Sequence, residues 1–187
     1  AMMAASVTFM LHLGLSNAAT VRAGQAFGRR DPQGLQDGGK VVVALSALIA
    51  LVTVALFLMT PEPIISAFMK PDEPDRAAVL SVGVSLLAAA ALFQLVDAAQ
   101  VLALGLLRGV QDTRVPMWIA ALSYWAVGIP MSYLLGFTFG FGGVGIWLGL
   151  AVGLAFAGVF LMLRFWGRAA RWSRTAAADA AGPGVPG

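Results

Sequence analysis

The sequence predicts an all-α membrane protein, a bundle of about five transmembrane helices, and three observations carry that expectation. Of 187 residues, 59% are hydrophobic and only 11% charged, whereas an ordinary soluble domain has about 25% charged residues. The apolar residues gather in charge-poor runs long enough to cross a ~30 Å hydrocarbon layer, which takes roughly 20 residues of helix. The charges lie between those runs and alternate in sign balance from one loop to the next.

Each span follows from the spacing of charges and breakers. Residues 1–21 bear no formal charge and hold one titratable side chain, His12. Residues 41–60 are charge-free, and residues 77–107 carry a single charge, Asp97. Residues 115–163 form a 49-residue run without a charge. That is too long for one crossing, and the glycines from Gly136 to Gly145 divide it into spans 115–137 and 144–163. Within it, Gly128 and Pro130 mark a kink, since proline removes a backbone hydrogen bond. Gly145, Gly149 and Gly153 repeat at every fourth residue, a small face on which another helix can approach closely.

The connections read as clearly. Pro61, Pro63, Pro71 and Pro74 rule out continuous helix from 60 to 75 and predict a short connection, with one interfacial turn at 64–69. Arg22 to Phe27 is expected to prolong the first helix, and Asp31-Pro32 and Gly38-Gly39 to mark turns in a loop 22–40. Residues 1–172 are taken as one transmembrane lobe. Residues 173–187, rich in small residues, are expected to be a disordered tail. The chain opens inside an apolar run without an initiator Met, which is expected to be a fragment boundary.

Charge placement sets orientation. Loop 22–40, loop 108–114 and the segment after 163 fall on one side and hold ten of the twelve basic residues, leaving Lys70 and Arg76 opposite. The positive-inside rule makes the richer side cytoplasmic, with the C-terminus there. Trp118, Trp147 and Trp166 sit near span ends, as interfacial anchors do. The net charge of +3 is therefore a topology signal, and nucleic acid is not an expected partner; the lipid bilayer is. With no Cys and a single His, thiolate chemistry and H-E-x-x-H zinc sites are excluded. One carboxylate in the spans is too few for an aspartyl protease dyad, and Gly14-Leu15-Ser16-Asn17-Ala18 lacks the second glycine of a hydrolase elbow. No catalytic residue, metal site or cofactor is implied.

Asp97 is the residue that points to function. A carboxylate near mid-bilayer costs about 2.5–3.5 kcal/mol on insertion scales and usually faces an aqueous cavity or a cation pathway. Gln94 and Gln100 lie three residues to either side, so all three fall in a 120° arc of one helix. Ionised, such a group attracts Na+ or an organic cation; protonated, it releases it. That competition is the minimal chemistry of ion-coupled antiport. His12 is a candidate proton relay, and Tyr124, Trp125 and Phe93 are candidate aromatic walls for a cationic substrate. Helix packing is the plainer reading of those three.

The segment ALFQLVDAAQVLALGLLRGVQDTR, Ala91 to Arg114, resembles the tenth-helix region of multidrug and toxic compound extrusion (MATE) transporters, NorM branch. SYWAVGIPMSYLLGF and GGVGIWLGLAVGL resemble helices eleven and twelve, and GLSNAATVRAGQAFG the end of helix eight. The resemblance covers about residues 6–166. It implies a twelve-helix transporter of two six-helix lobes, of which this chain is part of the C-terminal lobe. It implies export of small cationic or amphipathic drugs across the plasma membrane, here a bacterial inner membrane, coupled to transported Na+ or H+. Asp97 then matches the family's helix-ten acid, while a partner acid on helix seven and the whole N-terminal lobe lie upstream. In Phe9-Met10-Leu11-His12-Leu13-Gly14 the chain departs from the family, having His12 where proline is expected. Arg108, Asp112 and Arg114 match the cytoplasmic turn and are assigned to topology and loop capping. Two alternatives stand beside export: a truncated lobe that does not transport, and a flippase for lipid-linked substrates, which would favour basic residues within the spans.

Overall fold

The computed structural model describes residues 2–60 and 76–181, with side chains for residues 6–60 and 82–178. The expected connection at 60–75 lies almost wholly outside those residues. Among the described residues, five helices follow one another: α1 Met2–Gly28, α2 Pro32–Met59, α3 Arg76–Gly109, α4 Arg114–Thr138 and α5 Gly142–Ala181. Among the described residues, four stretches are both long and apolar enough to cross a membrane: Pro32–Met59, Val82–Gly109, Arg114–Thr138 and Gly142–Ala178. Helix α1 has the length, but His12, Ser16, Asn17, Thr20 and Arg22 dilute its apolar character.

Arg22 to Phe27 does prolong α1. The loop expected at 22–40 shrinks to a few residues around Arg30, which takes a left-handed backbone at φ 54°. Asp31 caps α2 by accepting the Gly34 N–H at 2.8 Å, and Pro32 occupies the first turn, where its missing N–H costs nothing. Gly38-Gly39 is therefore inside a helix, a correction to the expected turn. The reason is tertiary: a Cβ on Gly39 would press on the Phe165 ring of α5 at 3.0 Å, so glycine lets the two helices close up. At the other end of the chain, α5 runs through 173–181, where a disordered tail was expected; five alanines in that stretch are strong helix formers. Residues 182–187 lie outside the described part.

The turn between α4 and α5 falls where the glycines predict it. Gly140 and Gly142 take φ of 72° and 54°, a region closed to most L-residues. Helix α4 is α-helical over Arg114–Leu122 and Ile129–Tyr133, with π-turns at Ser123–Gly128 and Leu134–Thr138. In the first, the Ile129 N–H reaches back five residues to the Tyr124 carbonyl. Pro130 follows, and the wider turn makes room for its ring, so the expected kink is realised as a π-bulge.

Helix α3 is the axis of the bundle, packed by α1, α2 and α5, while α4 leans on α5. Ala19, Ala23, Leu102, Ala103, Leu106, Leu107, Leu161 and Phe165 form the main core. The outward faces carry exposed Leu, Val, Phe and Trp along their length, which suits helices whose surroundings are hydrocarbon.

Candidate ion site

Helices α1 and α3 are tied by two hydroxyls. Ser16 Oγ donates to the Val101 carbonyl at 2.8 Å, and Thr20 Oγ1 donates to the Gly105 carbonyl at 2.9 Å. Both pairs are 85 residues apart, one helical turn after the other, so the helices run parallel and in register. Gly105 and Gly109 permit the approach: a Cβ on Gly105 would strike the hydroxyl and carbonyl of Ser16, and one on Gly109 would meet Ala23 at 2.6 Å. This clamp escaped the sequence reading. Its signal was available, since Ser16-x-x-x-Thr20 and Gly105-x-x-x-Gly109 share the spacing of four that aligns groups on one helix face.

One turn back along that register, His12 comes level with Asp97. Asp97 is 7% exposed and His12 1%, and the two are close enough to interact electrostatically. The His12 Nδ1–H donates to the Thr8 carbonyl at 2.9 Å, which leaves Nε2 buried with no partner. Among the described residues, no hydrogen bond or ion pair neutralises the Asp97 carboxylate. Gln94 and Gln100 are buried on the same helix. The Gln94 amide nitrogen is likewise buried without a partner. Gln100 donates from its amide to the Tyr124 hydroxyl on α4, and Tyr124 lies within electrostatic reach of Asp97.

The fold thus gathers Asp97, Gln94, Gln100, His12 and Tyr124 around one level of the bundle. Phe93 and Trp125 are placed elsewhere. Phe93 meets Trp147 of α5 edge to face, ring centres 5.0 Å apart. Trp125 is 75% exposed on the outer face of α4. A cavity of about 270 Å³ between α2, α3 and α5 is lined almost entirely by apolar side chains and not by Asp97.

Chemically, the gathered set offers one acid, an imidazole lone pair and neutral oxygens in a dry setting. A buried, unpaired carboxylate is costly, so a monovalent cation or a proton is the natural complement to it. No cluster of three or more His, Cys, Asp or Glu is present among the described residues.

Comparisons with known proteins agree on lineage. The MatE family profile matches residues 1–134. A probable multidrug resistance protein NorM of Brucella suis biovar 1 (strain 1330) is 45% identical over 175 residues, covering 93% of this chain and 37% of that protein. Its namesake in Mesorhizobium japonicum is 47% identical over 165 residues, 86% of this chain and 34% of that protein. An inward-facing multidrug resistance MATE family transporter of the MOP superfamily superposes with a TM-score of 0.81 at 16% identity, over 93% of this chain and 39% of that one. The eukaryotic MATE transporter AtDTX14 gives 0.78 at 20% identity, over 92% and 39%. The chain therefore spans a little over a third of the length of the relatives it matches.

Proposed function

The chain belongs to the MatE family, and from that premise we propose that it forms part of the C-terminal lobe of an ion-coupled antiporter that exports cationic or amphipathic drugs. Inward movement of Na+ or H+ drives export, and Asp97 is the group for which ion and substrate cycles compete. Gln94 and Gln100, on the same helix as the carboxylate, supply neutral ligands. Tyr124 offers a hydroxyl on the neighbouring helix and His12 a relay for the proton, while Phe93 and Trp125, away from that level, offer the substrate aromatic faces elsewhere on the lobe. The remaining helices, with the N-terminal lobe, complete the path.

The observation that carries this reading is the buried Asp97 carboxylate without a neutralising partner. A purely structural acid is expected to be tied to a neighbour, because leaving it unpaired costs several kcal/mol; among the described residues no hydrogen bond or ion pair does so, which supports a transported cation or proton as the balancing charge. The ten-to-two bias of basic residues supports a cytoplasmic C-terminus in a plasma membrane. The apolar runs 1–21, 41–60, 77–107 and 115–163 hold no Lys or Arg to receive a lipid-linked diphosphate in mid-bilayer, which favours drug export over flipping.

The test is Asp97→Asn in the full-length transporter. Coupled efflux should vanish while the amount in the membrane is unchanged. Drug resistance equal to the unmodified protein would refute the assignment.

A further inference from the structure

A second constellation lies beyond the apolar part of α5, about 20 Å along the bundle from Asp97 at 1.5 Å per residue between Asp97 and Val110. The apolar run ends at Leu163, and Arg164, Arg168, Arg171 and Thr175 follow at intervals of four, three and four. At 100° per residue these four fall on one stripe. The stripe lines a cavity of about 560 Å³, whose other wall is made by Phe27 of α1, Leu35 of α2, Val110 and Trp172. Phe27 and Trp172 close one side with ring centres 5.3 Å apart.

The charge in this cavity is only partly answered. Asp112, buried in the α3–α4 turn, accepts from Arg164 Nε at 2.7 Å and from Arg168 Nη1 at 3.1 Å, both on the same oxygen. Arg171 donates through Nε to the Gly167 carbonyl. Three guanidiniums thus line the cavity, and one carboxylate answers two of them. The terminal nitrogens of Arg164 and Arg171 and the second terminal nitrogen of Arg168 are left over from those bonds as donors, and among the described residues no acidic one lines the cavity. Guanidinium forks match phosphate oxygens in geometry and charge. The aromatic and aliphatic wall asks for an apolar continuation of the same ligand, and the cavity begins where the hydrocarbon-length run of α5 stops.

We propose that this cavity binds the headgroup phosphate of an anionic phospholipid, with its glycerol and upper acyl carbons against Phe27, Leu35 and Trp172. Basic pockets between transmembrane helices on the cytoplasmic side hold anionic headgroups in this way. The site is separate from Asp97 and does not depend on how transport is coupled.

Native mass spectrometry of the full-length protein in detergent tests it, with phosphatidylglycerol, phosphatidylcholine and inorganic phosphate as probes. Phosphatidylglycerol should bind in preference to phosphatidylcholine, and excess inorganic phosphate should not displace it. Arg171→Gln, which leaves both Asp112 pairs intact, should weaken phosphatidylglycerol binding about fivefold. Trp172→Ala should also weaken it, through the apolar wall. Arg174→Gln, the same charge change outside the cavity, should not. Equal binding of the two lipids, equal loss in the Arg171 and Arg174 variants, or displacement by inorganic phosphate would each overturn the proposal.

Discussion

His12 and Asp97 stand level on two parallel helices, because the Ser16–Val101 and Thr20–Gly105 hydrogen bonds fix an offset of 85 residues and one further turn continues it. The imidazole is held from behind by the Thr8 carbonyl, so its free nitrogen is buried on the side left open. A free imidazole nitrogen can take up and pass on a proton. In His12→Gln, the amide can keep the bond to Thr8 but cannot carry a proton. Drug efflux should then persist while its dependence on pH flattens. An efflux profile that matches the unmodified protein at every pH would remove His12 from the proton path.

The register itself rests on glycine. Gly105→Ala places a methyl group on the Ser16 hydroxyl and carbonyl, which cannot retreat without breaking the bond to Val101. Overpacking of this kind costs about 1–3 kcal/mol, and the thermal midpoint of the purified protein should fall accordingly. Gly14→Ala is the counterpart, since nothing lies within 4 Å of its added carbon. There the gain in helix propensity, up to about 1 kcal/mol, should hold or raise the midpoint.

How much of this was legible in the sequence depends on the range of the cause. The charge-free runs, the Gln94–Asp97–Gln100 stripe and the break before Pro130 have local causes: hydropathy, the 100° turn angle and a missing N–H. Among the described residues, four of the five expected spans are helices long and apolar enough to cross a membrane, the three stripe residues are buried, and a π-turn precedes Pro130. Gly38-Gly39 misled because glycine marks a turn only when no neighbouring helix needs the space, and Phe165 needs it. Tyr124 joining Gln100 while Trp125 points away is decided by one residue of phase on α4, which a π-turn shifts by more than an ordinary helix count allows. The approach of Arg164 to Asp112 spans 52 residues and follows from how α5 packs, not from any spacing in the chain.

Asp112 gives a stability prediction. Its carboxylate is buried, and a single oxygen serves two guanidiniums, Arg164 partly buried and Arg168 more open to solvent. Breaking a fully buried pair from one side costs about 3–5 kcal/mol, and solvent screening at Arg168 reduces that. Asp112→Asn should therefore lose about 1–3 kcal/mol, read as a lower thermal midpoint. The midpoint of the variant should also respond less to added salt than that of the unmodified protein. An unchanged midpoint would show that the α3–α4 turn is held by its backbone bonds alone.

The contact between α4 and α5 should prove the least tolerant of added volume. Gly145, Gly149 and Gly153 lie against the backbone of α4: a Cβ on Gly149 would fall on the Ser132 nitrogen, one on Gly145 on the Leu135 carbonyl, and one on Gly153 at 2.7 Å from the Gly128 Cα. Backbone cannot swing aside as a side chain does, so Gly149→Val has to push the helices apart. Helix α4 carries Tyr124, and separation should draw its hydroxyl away from Gln100. Gly149→Val in the full-length protein should lower both the thermal midpoint and drug efflux. Gly158→Ala on the same helix meets only Gln100 atoms at 3.5 Å or more and should leave both unchanged. Full efflux from Gly149→Val would show that the α4–α5 spacing is not what positions Tyr124.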